Sequence, residues 1–257
     1  MADAEMLPPV DRLLAIMRQL RNPEGGCEWD LAQSFATIAP YTIEEAYEVS
    51  DAIADGDPAA ICDELGDLLL QVVFHSQIAT DEGLFGFDDV ANAISDKMER
   101  RHPHIFGDGK TDDVRQQWEQ IKAAERSADG AAGALAGVAS SLPALLRAQK
   151  LQGRAARVGF DWPDTDGPRA KIDEELAEVA KAADDAERHE EIGDLLFAVV
   201  NYARKLGIDA EGALRDANLK FARRFAAMED RAGGSIAGLS LDDQEEHWVA
   251  VKAAERP

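Results

Sequence analysis

With 257 residues the chain has room for one large domain or two of ordinary size, and a hydrophobic share of 46% is ample for real cores. A formal charge of −23 argues against a general binder of nucleic acid or of anionic membranes, since both are met with basic surface. Two cysteines, Cys27 and Cys62, are too few for a disulfide framework and are expected to be reduced, buried thiols. The start, Met1-Ala2-Asp3-Ala4-Glu5, has neither a basic opening nor a long apolar run, and no apolar stretch approaches the length of a membrane span, so a soluble cytoplasmic protein is expected.

In chain order, Leu13, Leu14, Ile16, Met17 and Leu20 recur at helical spacing and predict a helix over residues 10–20. Residues 21–30 read as a loop from their Pro and Gly content. Thr42 followed by Glu45 fits a capping box that starts the first acidic helix; that role competes with any other use of Glu45. Asp55-Gly56-Asp57-Pro58 ends that helix and starts another over residues 59–78. Residues 81–87 form a loop, Asp88 caps a helix to Arg101, and Pro103 stops it, with loop to Thr111. Trp118 and Lys122 then lie one turn apart on a further helix.

Residues 127–141, rich in Ala, Gly and Ser, are the candidate linker, which puts one domain at 1–130 and a second at 131–257. Ser141-Leu142-Pro143 supplies a cap and a first-turn proline for a helix to about Val158, and residues 159–163 are a loop that loosely echoes Glu28-Trp29-Asp30. Two acidic helices follow, then a helix over residues 210–228, a glycine loop at 233–235 and a last helix capped by Asp242. No segment alternates persistently with period two, so the fold class is all-α.

Residues 172–200 carry the chemistry. Side chains three or four apart share a helix face, so Glu175 and Glu178 project together, as do Glu191 and Asp194, and Glu174 reaches the side of Glu178. Each pair adjoins apolar residues (Leu176, Val179; Ile192, Leu195, Leu196) that have to enter a core, so the acids border buried surface and repel one another. A divalent cation relieves that repulsion, and an all-oxygen set without His or Cys suits Mg²⁺ or Mn²⁺ better than zinc. The pattern occurs twice. Glu45, Glu48, Glu64 and Asp67 repeat the four acids, at offsets of 130 for Glu45 and Glu175 and of 127 for Glu64 and Glu191. Lys97 and Arg101 likewise match Lys220 and Arg224, and Trp118 and Lys122 match Trp248 and Lys252, in the same order along the chain. A tandem duplication of one helical module explains this.

Lys220 and Arg224, with Lys252, are candidate phosphate ligands, and Trp248 is either core packing or a platform for an aromatic ligand. His102-Pro103-His104 reads as a proline loop in preference to a metal tract, and a di-iron bundle lacks the second Glu-x-x-His it needs. A non-catalytic helical protein with solvated acids is the remaining alternative. The two repeats differ in that His102-Pro103 interrupts the first basic helix after Arg101, while the second continues past Arg224, which favours the second repeat as the main catalyst.

Glu-Glu-x-x-Glu, Glu-x-x-Asp and Lys-x-x-Arg-Arg in two tandem copies resemble the MazG-type nucleoside triphosphate pyrophosphohydrolases, relatives of all-helical dUTPases and phosphoribosyl-ATP pyrophosphatases. The resemblance extends to residues 35–42, to Arg100-Arg101-His102-Pro103-His104 and to Val158-Gly159-Phe160-Asp161-Trp162. It implies Mg²⁺-dependent hydrolysis of ribo- and deoxyribonucleoside triphosphates to monophosphate and pyrophosphate, in nucleotide-pool housekeeping, by homodimers that complete four-helix cores between chains. A narrow relative acting on a nucleotide such as dUTP is the nearest alternative. The resemblance further implies catalytic roles for Glu174, Glu175, Glu178, Glu191 and Asp194, a metal site at the last four of these and at Glu45, Glu48, Glu64 and Asp67, and substrate contacts from Lys220, Arg224, Trp248 and Lys252 and from Lys97, Arg101, Trp118 and Lys122.

Overall fold

The computed structural model describes residues 7–107 and 133–255 and, between them, Val114, Trp118, Ile121, Lys122 and Glu125. The described residues are helical throughout, with no strand, and no helix among them is long and apolar enough to cross a membrane. The chain divides into two compact units, Met1–Ala123 and Ala124–Pro257. The boundary expected near residue 130 lies outside the described residues.

The first unit holds α1 (Pro9–Leu20), α2 (Glu28–Leu31), α3 (Phe35–Asp55), α4 (Pro58–Asp81), α5 (Phe87–Arg101) and α6 (Pro103–Phe106). Helices α3 and α4 form its hairpin, and α1 and α5 pack on α4. The turn between them is tight because Gly56 takes a left-handed φ of 74°, which a side chain would strain, and Asp57 then caps α4 through the Ala59 N–H at 2.9 Å. Met17, Ile38, Val73, Phe74 and Ile78 are buried together, with Leu13, Leu14, Phe35, Leu70 and Phe87 around them. Each such side chain stabilises the fold by about 1.5–3 kcal/mol. Buried Arg21 bonds Asp81 through Nε at 2.7 Å and the Asp30 carbonyl through Nη1 at 2.6 Å, tying α2 to the end of α4.

The second unit holds α7 (Ala144–Arg157), α8 (Asp166–Lys181), α9 (Asp185–Lys205), α10 (Ala210–Arg231) and α11 (Leu241–Ala254). Its hairpin is α8 with α9; α7 packs on α9 and α10, and α10 on α11.

Several local expectations are corrected. The first acidic helix starts at Phe35, not Thr42, because Ser34 and Thr37 form the capping box; Thr42 lies inside the helix and meets His75 Nε2 at 3.1 Å, which frees Glu45 from capping. Pro40 is tolerated early in α3, where the lost N–H bond disturbs only the first turns. The loop over residues 21–30 contains the short α2, and Pro103 opens a short α6 instead of leading into loop, since its fixed φ suits a first helical position. Gly86, not Asp88, is the N-cap of α5, its N–H donating to Asp89 at 2.8 Å; Pro143, not Ser141, precedes α7; and Ser240, not Asp242, caps α11. Both cysteines are exposed, not buried, because Cys27 lies beside a turn and Cys62 on the outer face of α4. Leu176, Ile192 and Leu196, expected in a core, are exposed in the single chain, since no other element among the described residues of the second unit covers that face of the hairpin.

Candidate active site

Antiparallel pairing of α8 with α9 brings the two acidic motifs of the second repeat face to face. One carboxylate oxygen from each of Glu175, Glu178 and Glu191 lies within 4.8 Å of the other two. Asp194, one turn along α9 from Glu191, adds its charge to the group from just outside this triplet. Glu175 is only 2% exposed. Lys171, one turn earlier, meets its Oε1 at 2.5 Å, while its Oε2 is buried without a hydrogen-bond partner. An unpartnered buried carboxylate oxygen is costly unless a cation meets it. Burial, and then the charges of Glu178, Glu175 and Asp194, push the Glu191 carboxyl above its usual range. Hydrogen bonds to Glu175 first and Glu174 second raise Lys171.

The first repeat builds the same triplet from Glu45, Glu48 and Glu64, again within 4.8 Å. Burial and the neighbouring charges of Asp67 and Glu48 raise Glu45, and burial with Glu48 and Asp67 raises Glu64. Here a glutamine intervenes: Gln71 Nε2 donates to Glu45 Oε1 at 3.4 Å.

The remaining expected residues are placed as follows. Glu174 stands outside the acidic triplet and pairs with Lys171 at 2.9 Å. Lys220 is exposed on α10. Arg224 is held by Glu255, through Nε at 2.7 Å and Nη2 at 2.6 Å, with Arg223 on the other carboxylate oxygen at 3.2 Å. These guanidiniums hold the Glu255 carboxyl below its usual range. Half-buried Trp248 packs against Phe221, ring centroids 5.5 Å apart, beside half-buried Lys252. No hydrogen bond, ion pair or ring contact joins Lys220, Arg224, Trp248 or Lys252 to the acids among the described residues. In the first unit Lys97 is half-buried, Arg101 lies over the Trp118 ring at 5.3 Å, and half-buried Lys122 belongs to the same stretch. His102 packs against that ring in a tilted arrangement, centroids 4.8 Å apart, and bonds the Met98 carbonyl.

A cavity of about 710 Å³ is lined by Glu175, Asp194 and Lys171 together with Phe160, Trp162 and Asn201. Sequence reasoning missed this cavity and Lys171. The lysine had a readable signal, its four-residue step to Glu175, whereas the cavity joins four stretches, at residues 135, 151–162, 171–175 and 194–204, that no local pattern connects.

The MazG nucleotide pyrophosphohydrolase domain, as a family, matches residues 33–106 and 169–227. The chain is similar, at 52% identity over 257 residues, to the nucleoside triphosphate pyrophosphohydrolase of Escherichia coli (strain K12), covering 96% of this chain and 98% of that protein. A nucleoside triphosphate pyrophosphohydrolase/pyrophosphatase MazG of Thermotoga maritima is 43% identical over 248 residues, 95% of this chain and 96% of its own length. A nucleoside triphosphate pyrophosphohydrolase of Mycobacterium tuberculosis is 30% identical over 251 residues, covering 92% of this chain and 66% of that protein.

Proposed function

The chain belongs to the MazG nucleotide pyrophosphohydrolase family and is a nucleoside triphosphate pyrophosphohydrolase, and from that premise we propose that it is a broad-range, Mg²⁺-dependent enzyme of nucleotide-pool housekeeping in the cytoplasm. It takes ribo- and deoxyribonucleoside triphosphates of several bases, breaks the anhydride between the α and β phosphates, and releases a monophosphate and pyrophosphate. The observation that carries the metal assignment is the buried, unpartnered Oε2 of Glu175 within a triplet of carboxylates. The donor set fits: all ligands are oxygens, three converge within 4.8 Å, and the triplet holds no His or Cys. Glu175, Glu178, Glu191 and Asp194 would hold Mg²⁺, or Mn²⁺ in its place. When bound, the cation neutralises phosphate charge and lowers the pKa of water.

The chain's own residues do the rest. Lys171 fixes the Glu175 carboxylate in one orientation. Glu174, or one of the four acids, orients the water and accepts its proton as the oxygen attacks the α phosphorus and pyrophosphate departs. Lys220, Arg224 and Lys252 offset the charge of the pyrophosphate, for which Arg224 must exchange Glu255 for phosphate oxygens. Trp248 borders the nucleotide. Lys97, Arg101, Trp118 and Lys122 occupy the matching positions of the first repeat. We place the main catalytic work in the second unit, where the acids border an open cavity. The exposed Leu65 and Leu69 of α4, and Leu176, Ile192 and Leu196 of α8 and α9, support a homodimer that covers both hairpins, which sedimentation velocity at micromolar concentration reads directly.

The test is pyrophosphate release from a panel of ribo- and deoxyribonucleoside triphosphates with and without Mg²⁺. Monophosphate and pyrophosphate from purines and pyrimidines, only with metal, is the expected result. Turnover of dUTP alone would replace the broad reading with the narrow one.

A further inference from the structure

Glu255 stands at the C-cap of α11, the negative end of the helix, where a carboxylate is unfavourable without a cation beside it. Two arginines of α10 meet it, one on each oxygen. Arg224 donates to Oε2 from Nε at 2.7 Å and from Nη2 at 2.6 Å, and Arg223 donates to Oε1 from Nη2 at 3.2 Å. Consecutive helix residues point roughly 100° apart, so one carboxylate reaches both guanidiniums only from between them. Arg224 has the closer grip and is the more sheltered, 23% exposed against 67% for Arg223. It has no other hydrogen-bond or ion partner among the described residues. The Arg224 hydrogen bond chiefly, with Arg223 adding to it, holds the Glu255 carboxyl below its usual range, so the group is charged at neutral pH.

The same trio recurs in the sequence of the first repeat, Arg100-Arg101 lying 123 residues before Arg223-Arg224 and Glu125 lying 130 before Glu255. The neighbouring turn differs. Where the second repeat has Phe221 the first has Met98, and there Arg101 lies over the Trp118 ring at 5.3 Å. In the second repeat Phe221 takes the face of Trp248, ring centroids 5.5 Å apart, and the Arg224 guanidinium is turned to Glu255. Arg224 is therefore held by a charge, and a competing anion can displace a charge.

Resting on the pyrophosphohydrolase reading, we propose that Glu255 is a built-in competitor for the phosphate site: its carboxylate holds Arg224 before substrate binds, stays with Arg223 alone when a triphosphate takes Arg224, and returns as pyrophosphate leaves. Carboxylate and phosphate oxygens present similar acceptors to a guanidinium, so each excludes the other from the Nε and Nη2 edge. The exchange is open to a ligand because the pair is partly exposed, and such ion pairs are weak. It has a direction because the carboxylate brings one negative charge, whereas triphosphate and pyrophosphate bring several. Arg223 keeps the displaced carboxylate paired, which gives two arginines to one acid a purpose. The consequence is a looser hold on polyphosphate, the product pyrophosphate included, so that the product is released and not retained.

The experiment removes the charge and keeps the shape, through Glu255→Gln in the full chain, and measures the KM for ATP with Mg²⁺ and the inhibition constant of inorganic pyrophosphate. The expected result is that both constants fall about threefold or more, since the internal competitor is gone. Arg223→Gln is expected to raise both about threefold, because Glu255 then has only Arg224 to pair with. Damage to the fold would weaken binding in both variants, so opposite signs from two partners of one ion pair separate competition from a structural role. If Glu255→Gln does not fold by far-ultraviolet circular dichroism, Glu255→Ser replaces it with the same expectation. An unchanged or raised value of either constant in the folded Glu255 variant, or no rise in Arg223→Gln, would overturn the proposal. A wild-type protein that hydrolyses no nucleotide would instead sink the pyrophosphohydrolase reading itself, which keeps the two failures apart.

Discussion

The two repeats carry the same acids on the same hairpin and differ in what lies behind them. In the first unit Phe74 and Ile78, on the helix that carries Asp67, are buried in a hydrophobic core, and Gln71 donates to Glu45. In the second, smaller or more polar residues at those positions leave a cavity against Glu175 and Asp194. A helical hairpin can thus keep an acidic face while its inner face changes from packing to an open cavity, because the two faces are set by different residues of the same helices.

The comparison can be broken at several points. Glu175→Gln alters the one acid among the described residues with a buried, unpartnered oxygen, and should lower kcat by about a hundredfold or more while far-ultraviolet circular dichroism is unchanged; full activity with Mg²⁺ would remove the metal assignment. In the first unit the loss should appear as stability. Met17→Ala, at 1% exposure, should cost about 2–5 kcal/mol in denaturant unfolding of that unit, and a cost well below this would show that its core is not closed.

The acids of both units predict a pH dependence of known sign. Glu45, Glu64 and Glu191 titrate above their usual range, chiefly because burial disfavours the charged form. Their stabilising contribution is present below the unfolded carboxyl value of 4.5 and lost as pH rises through the higher folded values. Millimolar Mg²⁺ should restore it, so the rise in Tm on adding Mg²⁺ should be larger at pH 7.5 than at pH 5, where protons compete for the same oxygens. An equal rise at both would detach the cation from these acids. Asp161 behaves oppositely: the Arg204 hydrogen bond holds its carboxyl below the ordinary 3.8, so its contribution is present above that value and lost as pH falls through the lower folded one. Asp161→Asn should therefore cost at most about 1 kcal/mol at pH 7, with the difference from wild type vanishing in acid.

The acidic motifs and the duplication were legible in the sequence because helical spacing converts a three- or four-residue step directly into a shared face. The convergence of Glu178 with Glu191 followed from antiparallel pairing of consecutive helices. Helix starts were less legible. Thr42 with Glu45 fits a capping box locally, but α3 starts after Ser34, where Thr37 completes the box and Ile38 is buried with Met17 and Phe74. The exposure of Leu176, Ile192 and Leu196 reversed an expectation because periodicity shows that a face is apolar without showing what covers it. The cavity was hidden for a related reason. Gln152, Trp162 and Asn201 are distant in sequence and share no pattern, so their meeting depends on how α7, α8 and α9 pack.

The most direct test of the division between the repeats is pyrophosphate release with Mg²⁺ by Glu64→Gln and Glu191→Gln, two substitutions at equivalent positions measured side by side on the full chain. The account predicts near-wild-type turnover for Glu64→Gln and a loss of about a hundredfold or more for Glu191→Gln. A larger loss from Glu64→Gln would contradict it and move the catalytic centre to the first unit.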